Sequence, residues 1–184
     1  LGDPARAFEL TLKALASDLG DPSTLDDADR LAAASRQYPR LGQVYDTLLR
    51  KTEDKGRKVE LLLRQAEILR QDAAEQGNAL DRFLRAASLA PFDGRVIAAI
   101  EDLAPRIGRA EDLLSVYDRR KKEAASHAAR VDELIASARV AEVHLRDRER
   151  SVTYLALGVA LAVRSPALFD ALETRAMEIF ETAA

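Results

Sequence analysis

Histidine supplies most general bases and many metal ligands, so the two histidines are the first residues to weigh. His127 and His144 are separated by about five turns of what reads as one helix. From there they cannot converge on one ion, and no HExxH or HxxxH spacing accompanies them. Adjacent carboxylates occur at Asp26-Asp27, Glu53-Asp54, Glu101-Asp102 and Glu111-Asp112. Neighbours on a helix point about 100° apart, so such pairs serve helix N-termini and solvation rather than proton sharing. The chain has no Cys, which removes disulfides, thiolate nucleophiles and zinc–thiolate sites. Patterns GxxxxGK, GxGxxG and GxSxG are absent, leaving phosphate loops and nucleophile elbows without support. Arg119-Arg120-Lys121-Lys122 could hold an anion, yet it closes a helix, precedes Glu123 and lacks interleaved aromatics. Arg146-Asp147-Arg148-Glu149-Arg150 alternates in sign and reads as a solvated junction. The residues therefore predict neither an enzyme nor a metal or cofactor site.

The elements that position these side chains are helices. Ala7, Leu10, Ala14 and Leu15 recur at three- and four-residue steps, as do Leu41, Val44, Tyr45, Leu48 and Leu49. The same spacing runs through Val59, Leu62, Leu63, Ala66 and Leu69. It returns in Val96, Ile97, Ile100, Leu103 and Ile107, and in Val131, Leu134, Ile135 and Ala138. No run alternates with period two, so an all-α fold is predicted. Breaks are short: Gly2-Asp3-Pro4, Asp21-Pro22-Ser23, Tyr38-Pro39, Pro91-Phe92-Asp93-Gly94 and Ser165-Pro166. Each joins a capping residue or Gly to a first-turn Pro. Gly56, Gly77 and Gly108 mark further junctions. About ten helices in antiparallel pairs are expected, since very short turns favour such pairs. Tyr45, Tyr117, Phe83, Phe169 and Phe180 fall at helix-packing spacings and are expected in the core.

Composition sets the outer limits. The 184 residues carry 28 Lys+Arg and 31 Asp+Glu, for a formal net charge of −3. That balance lacks the basic footprint of a general nucleic-acid binder. Hydrophobic residues at 47% and charged residues at 32% belong to a chain that folds. Aromatics are only 5%, with no Trp, so Ala, Leu, Val and Ile must build the core. No stretch reaches the ~18 apolar residues of a membrane span; the longest, Tyr154 to Val163, reads as a buried helix. The chain opens on Leu1 without a charged-then-apolar leader and reads as a piece of a longer protein. Abundant Ala, and Arg in excess of Lys, point to a GC-rich bacterial genome.

Sliding the chain along itself by about 72 residues aligns most of its apolar skeleton. Ala7 meets Ala79 and Ser151; Ala14 meets Ala86 and Gly158; Leu25 meets Ile97 and Phe169. Ala32 meets Ala104 and Ala176, and Val44-Tyr45-Asp46 meets Val116-Tyr117-Asp118. Small residues match small ones, as close helix crossings require. The unit divides again into two nearly equal halves, each long enough for one helix pair. In Lys58 to Pro91, Ala66, Ala79, Phe83, Ala86 and Pro91 follow a spacing that resembles the tetratricopeptide repeat, a helix–turn–helix of ~34 residues. Gly2-Asp3-Pro4 and Gly77-Asn78 resemble the turn between its helices. Two departures stand out: the first-helix Trp is absent, and Asp29, Glu101 and Glu173 replace a small residue before the closing Tyr position.

The resemblance implies a right-handed α-solenoid over residues 1–184, with units near 1–21, 22–55, 56–91, 92–125, 126–164 and 165–184. It also implies an interaction scaffold whose concave face takes a peptide or partner protein. The family's groove-facing positions fall on Asp26, Arg30, Glu60, Leu63, Glu67, Arg70, Arg95 and Asp102. They continue through Asp132, Ile135, Arg139, Glu142 and Asp170. Some family members grip a C-terminal carboxylate with Asn and Lys; the single Asn here, Asn78, sits at a turn, so no such clamp is expected. No nucleic-acid partner, cofactor or membrane insertion is expected. The alternative is a structural spacer that self-associates through terminal helices lacking mates.

Overall fold

The computed structural model describes residues 3–17, 21–163 and 165–182, and every regular element among them is helical. Leu1 and Gly2, where the expected opening turn begins, lie outside the described residues. Five helices belong to a first compact unit, residues Leu1–Ala90: α1 (Pro4–Ser17), α2 (Pro22–Ser35), α3 (Tyr38–Lys51), α4 (Lys55–Arg70) and α5 (Gln76–Leu89). A short 3₁₀ turn, Ala73–Glu75, precedes α5. Five more belong to a second unit, Pro91–Ala184: α6 (Gly94–Arg106), α7 (Ala110–Glu123), α8 (His127–Arg139), α9 (Arg148–Ala162) and α10 (Pro166–Thr182). One π turn, Val140–His144, continues α8. Among the described residues, the all-α prediction and its ten helices hold. No described helix is long and apolar enough to cross a membrane.

The helix starts repeat with the period of the sequence. Pro4, Gln76 and Arg148 open α1, α5 and α9, while Pro22, Gly94 and Pro166 open α2, α6 and α10. Tyr38 and Ala110 open α3 and α7, and Lys55 and His127 open α4 and α8. The cause is local capping chemistry placed at the same register. Asp21 accepts from Thr24 N at 2.9 Å, and Asp93 from Arg95 N at 3.0 Å. Asp54 accepts from Arg57 N and Ser126 from Ala129 N, again one period apart. Each cap satisfies an amide that the first turn cannot, worth about 1 kcal/mol. The chain between α2 and α3 turns through Arg36 at φ 55°, and the chain between α6 and α7 through Gly108 at φ 74°. These, too, are counterparts.

Within the first unit, α4 packs against α5 and α3, and α2 against α1 and α3. Ala79, Phe83 and Ala86 on α5 are fully buried, as their spacing predicts. Within the second unit, α8 packs against α7, α9 and α10, and Val131, Ile135, Ala138, Leu155, Leu172 and Ile179 make a shared core. Gly158 on α9 makes room for the Leu172 side chain of α10: an added Cβ would sit 2.6 Å from Leu172 Cδ1. Two expectations need correction. Val163 is 69% exposed and Leu157 and Val159 are also open, so the apolar run Tyr154–Val163 is not a buried helix. One side of α9 faces α8 and α10, and the other side carries the surplus apolar residues. Phe169 on α10 is 39% exposed, outside the core that its spacing predicts.

A buried tyrosine ties the second helix of each repeat to the third. Tyr45 on α3 lies 2.9 Å from both carboxylate oxygens of Asp29 on α2. Tyr117 on α7 donates to Glu101 on α6 at 2.5 Å. Both acids stand 16 residues before their tyrosine. In the first unit Arg64 on α4 completes the cluster, with Nε on Asp29 and Nη2 on Asp26. Burial pushes the Asp29 carboxyl up, while the bonds from Arg64 and Tyr45 pull it down. Burial also holds both tyrosine hydroxyls well above the usual phenol range.

Phe83→Ala should cost about 3–5 kcal/mol in reversible urea denaturation, as emptied aromatic sites do; a loss under about 1 kcal/mol would contradict the packing of α5 on α4. A second expectation concerns alkali. A phenol whose folded pKa is raised contributes stability that is full below its unfolded value, about pH 10, and is lost as pH climbs beyond it. Denaturation midpoints should therefore fall from about pH 10 upward, and less steeply in Tyr45→Phe and Tyr117→Phe. Phenolate absorbance from Tyr45 and Tyr117 should appear only as the helical circular dichroism disappears. Ionisation of all four tyrosines on a chain that stays helical would overturn it.

Candidate functional site

The second unit contains a cavity of about 460 Å³. Glu101 from α6 and Leu113 and Tyr117 from α7 form one wall. Asp132, Ile135, Ala136 and Arg139 come from α8, and Val140 and His144 from the π turn that continues it. Arg175, Glu178 and Ile179 from α10 close the set. The lining is amphiphilic: an apolar floor of Leu113, Ile135, Val140 and Ile179 beneath carboxylates and guanidinium groups. Such a cavity suits an apolar stem with a polar head.

Local sequence explains the placement. On α8 the spacing of Asp132, Ile135, Ala136 and Arg139 puts all four on one side of the helix. The π turn then brings Val140 and His144 to the same cavity; its wider hydrogen bond, Leu145 N to Val140 O at 3.2 Å, takes up an extra residue. Asp132 is bound to Arg175 at 2.6 Å, an ion pair that joins α8 to α10. Both partners are more than half exposed, so the pair contributes little to stability. His144 is held below the usual imidazole range by burial, then by Arg139 and Arg146. Behind the cavity wall, Arg120 binds Glu133 at 2.8 Å and stands over the rings of Phe92 and Tyr117. Burial raises the Glu133 carboxyl and Arg120 opposes it.

Of the positions implied by the resemblance, Asp132, Ile135 and Arg139 meet here. Two of these positions are buried. Ile135 is 8% exposed, because α10 covers it with Leu172 and Ile179, and it reaches the cavity only as floor. Glu142 is also 8% exposed and its Oε2 has no partner among the described residues. Glu142 lies within the π turn that continues α8. The remaining positions lie elsewhere. Asp26 binds Arg64, Arg30 binds Asp27, Glu67 binds Arg70, Arg95 binds Asp93 and Asp102 binds Arg106. Glu60 and Asp170 are exposed and Leu63 is half-buried.

Sequence reasoning does not bring Glu101, Tyr117, Ala136, His144, Arg175 and Glu178 together as a group. One signal is present: an acid 16 residues before a tyrosine, in both copies of the repeat. Among the described residues, no three His, Asp or Glu side chains cluster so as to hold a metal ion. Further cavities lie in the first unit, one of about 370 Å³ beside Asp46, Leu62 and Arg85, another of about 270 Å³ beside Tyr38, Gln65 and Arg82. Neither combines an apolar floor with a hydrogen-bonded acid–tyrosine pair. Comparison with protein-family models, with curated proteins and with solved structures finds no match to this chain.

Proposed function

We propose that the protein is an interaction module: a right-handed solenoid of antiparallel, tetratricopeptide-like helix pairs that binds a peptide or partner protein. Support for the repeat comes from helix starts that recur at one fixed spacing with matching caps. The observation that carries the binding role is the cavity of the second unit, where Asp132, Ile135 and Arg139 meet Glu101 and Tyr117 over an apolar floor. Mixed charge above apolar surface favours a side chain that is itself amphiphilic, as peptide side chains are. A second reading has its own support. Phe169 and Met177 stay exposed on α10 and Leu10 on α1, as a module that associates through its terminal helices requires.

A displayed random-peptide library selected against the full chain distinguishes the two. Selected peptides should bind the wild type and lose about tenfold, or 1.4 kcal/mol, against Ala136→Trp, which fills the cavity. The variant must keep its helical circular dichroism. Peptides that bind the folded variant at full strength would overturn the cavity reading. Concentration-dependent dimers abolished by Met177→Glu would favour terminal association instead.

A further inference from the structure

The two copies of the repeat differ at one informative position. Arg64 is the tenth residue of α4 and Ala136, its counterpart, the tenth residue of α8. In the first unit the Arg64 side chain crosses from α4 to α2, where its Nε meets Asp29 and its Nη2 meets Asp26. The same Asp29 carboxylate accepts the Tyr45 hydroxyl. The second unit retains acid and tyrosine as Glu101 and Tyr117, but at Ala136 the side chain stops at Cβ. Glu101, Tyr117 and Ala136 all line the cavity. Of the two arginines that line the cavity, Arg175 is bound to Asp132 and Arg139 adds a second positive charge, while Arg120 nearby is bound to Glu133.

We propose that this cavity takes an arginine side chain of the partner, in the place that Arg64 of the chain itself holds in the first unit. The inference rests on the peptide-binding reading above and names the side chain that is recognised. A guanidinium fits for three reasons. Glu101 offers a carboxylate already oriented by the Tyr117 hydroxyl, and hydrogen bonds to a carboxylate from guanidinium are charge-assisted and directional. Leu113 and Ile135 give the three-carbon stem an apolar bed. The chain itself supplies the precedent, since the same acid–tyrosine pair receives an arginine from α4. The counterpart of Asp26 is Ala98, so Glu101 is the one acid of that pair retained. Arginine alone should therefore bind in the millimolar range, with the rest of a peptide adding affinity.

The test is a nuclear magnetic resonance titration of the full chain with Nα-acetyl-L-arginine amide, and with the lysine analogue as control. Saturable shifts should localise to Glu101, Tyr117 and Ala136 and weaken about tenfold in Glu101→Gln, while Glu149→Gln leaves them unchanged. Lysine should bind distinctly more weakly. Ala136→Arg should place the missing side chain in cis, raise the melting temperature and abolish binding of the probe. Absence of saturable shifts, or equal binding of both probes without dependence on Glu101, overturns the proposal. In that event, library peptides still blocked by Ala136→Trp would keep the peptide-binding reading; their loss as well would end both.

Discussion

A buried phenol must have a hydrogen-bond partner, and in this protein that requirement fixes how the second helix of each repeat meets the third. Tyr45 is fully buried and Tyr117 nearly so. Each reaches back across the turn to an acid, Asp29 or Glu101. The acid must in turn sit on the side of its helix that faces the tyrosine, which sets the rotation of α2 against α3 and of α6 against α7. Everything placed by those helices inherits the constraint, including the floor of the cavity through Leu113 on α7.

A carboxylate drawn toward a core has to be neutralised or left near water, and the two units solve this differently. In the first, Asp29 is buried and Arg64 arrives from α4 to pair with it. In the second, Glu101 is one methylene longer and exposed, so its charge stays solvated while its Oε1 still receives the phenol. Burial of charge shifts instead to Glu133, which Arg120 answers from α7. The second arrangement leaves room beside Glu101 that the first fills. One backbone scheme with two distributions of charge yields a closed cluster in one unit and an open cavity in the other.

Much of the fold is legible in the sequence, because capping is short-range chemistry. Asp21, Asp54 and Asp93 announce helix starts from one turn away, and the apolar steps give the buried sides of α3, α4, α6 and α8. The cavity is less legible, since its chemistry comes from contacts distant in the chain. Arg175 and Glu178 belong to it only because α10 lies against α8, and nothing within α10 signals that. Glu142 and Ile135, read as groove positions, are both buried. Asp29 and Glu101, by contrast, are visible as departures from the repeat pattern. Their meaning emerges only with the tyrosine that each one serves.

The turns at Arg36 and Gly108 share one backbone shape. Both residues adopt the left-handed backbone conformation, which glycine enters freely and a residue with a Cβ enters at a cost of about 1–2 kcal/mol. The helices on either side impose the geometry, and the residue between them complies. Arg36 and Gly108 thus occupy one backbone shape with different side chains. Arg64 and Ala136 likewise place a long side chain and a short one at equivalent helix positions. One spacing of helices thus holds a closed acid–tyrosine–arginine cluster in the first unit and an open cavity in the second.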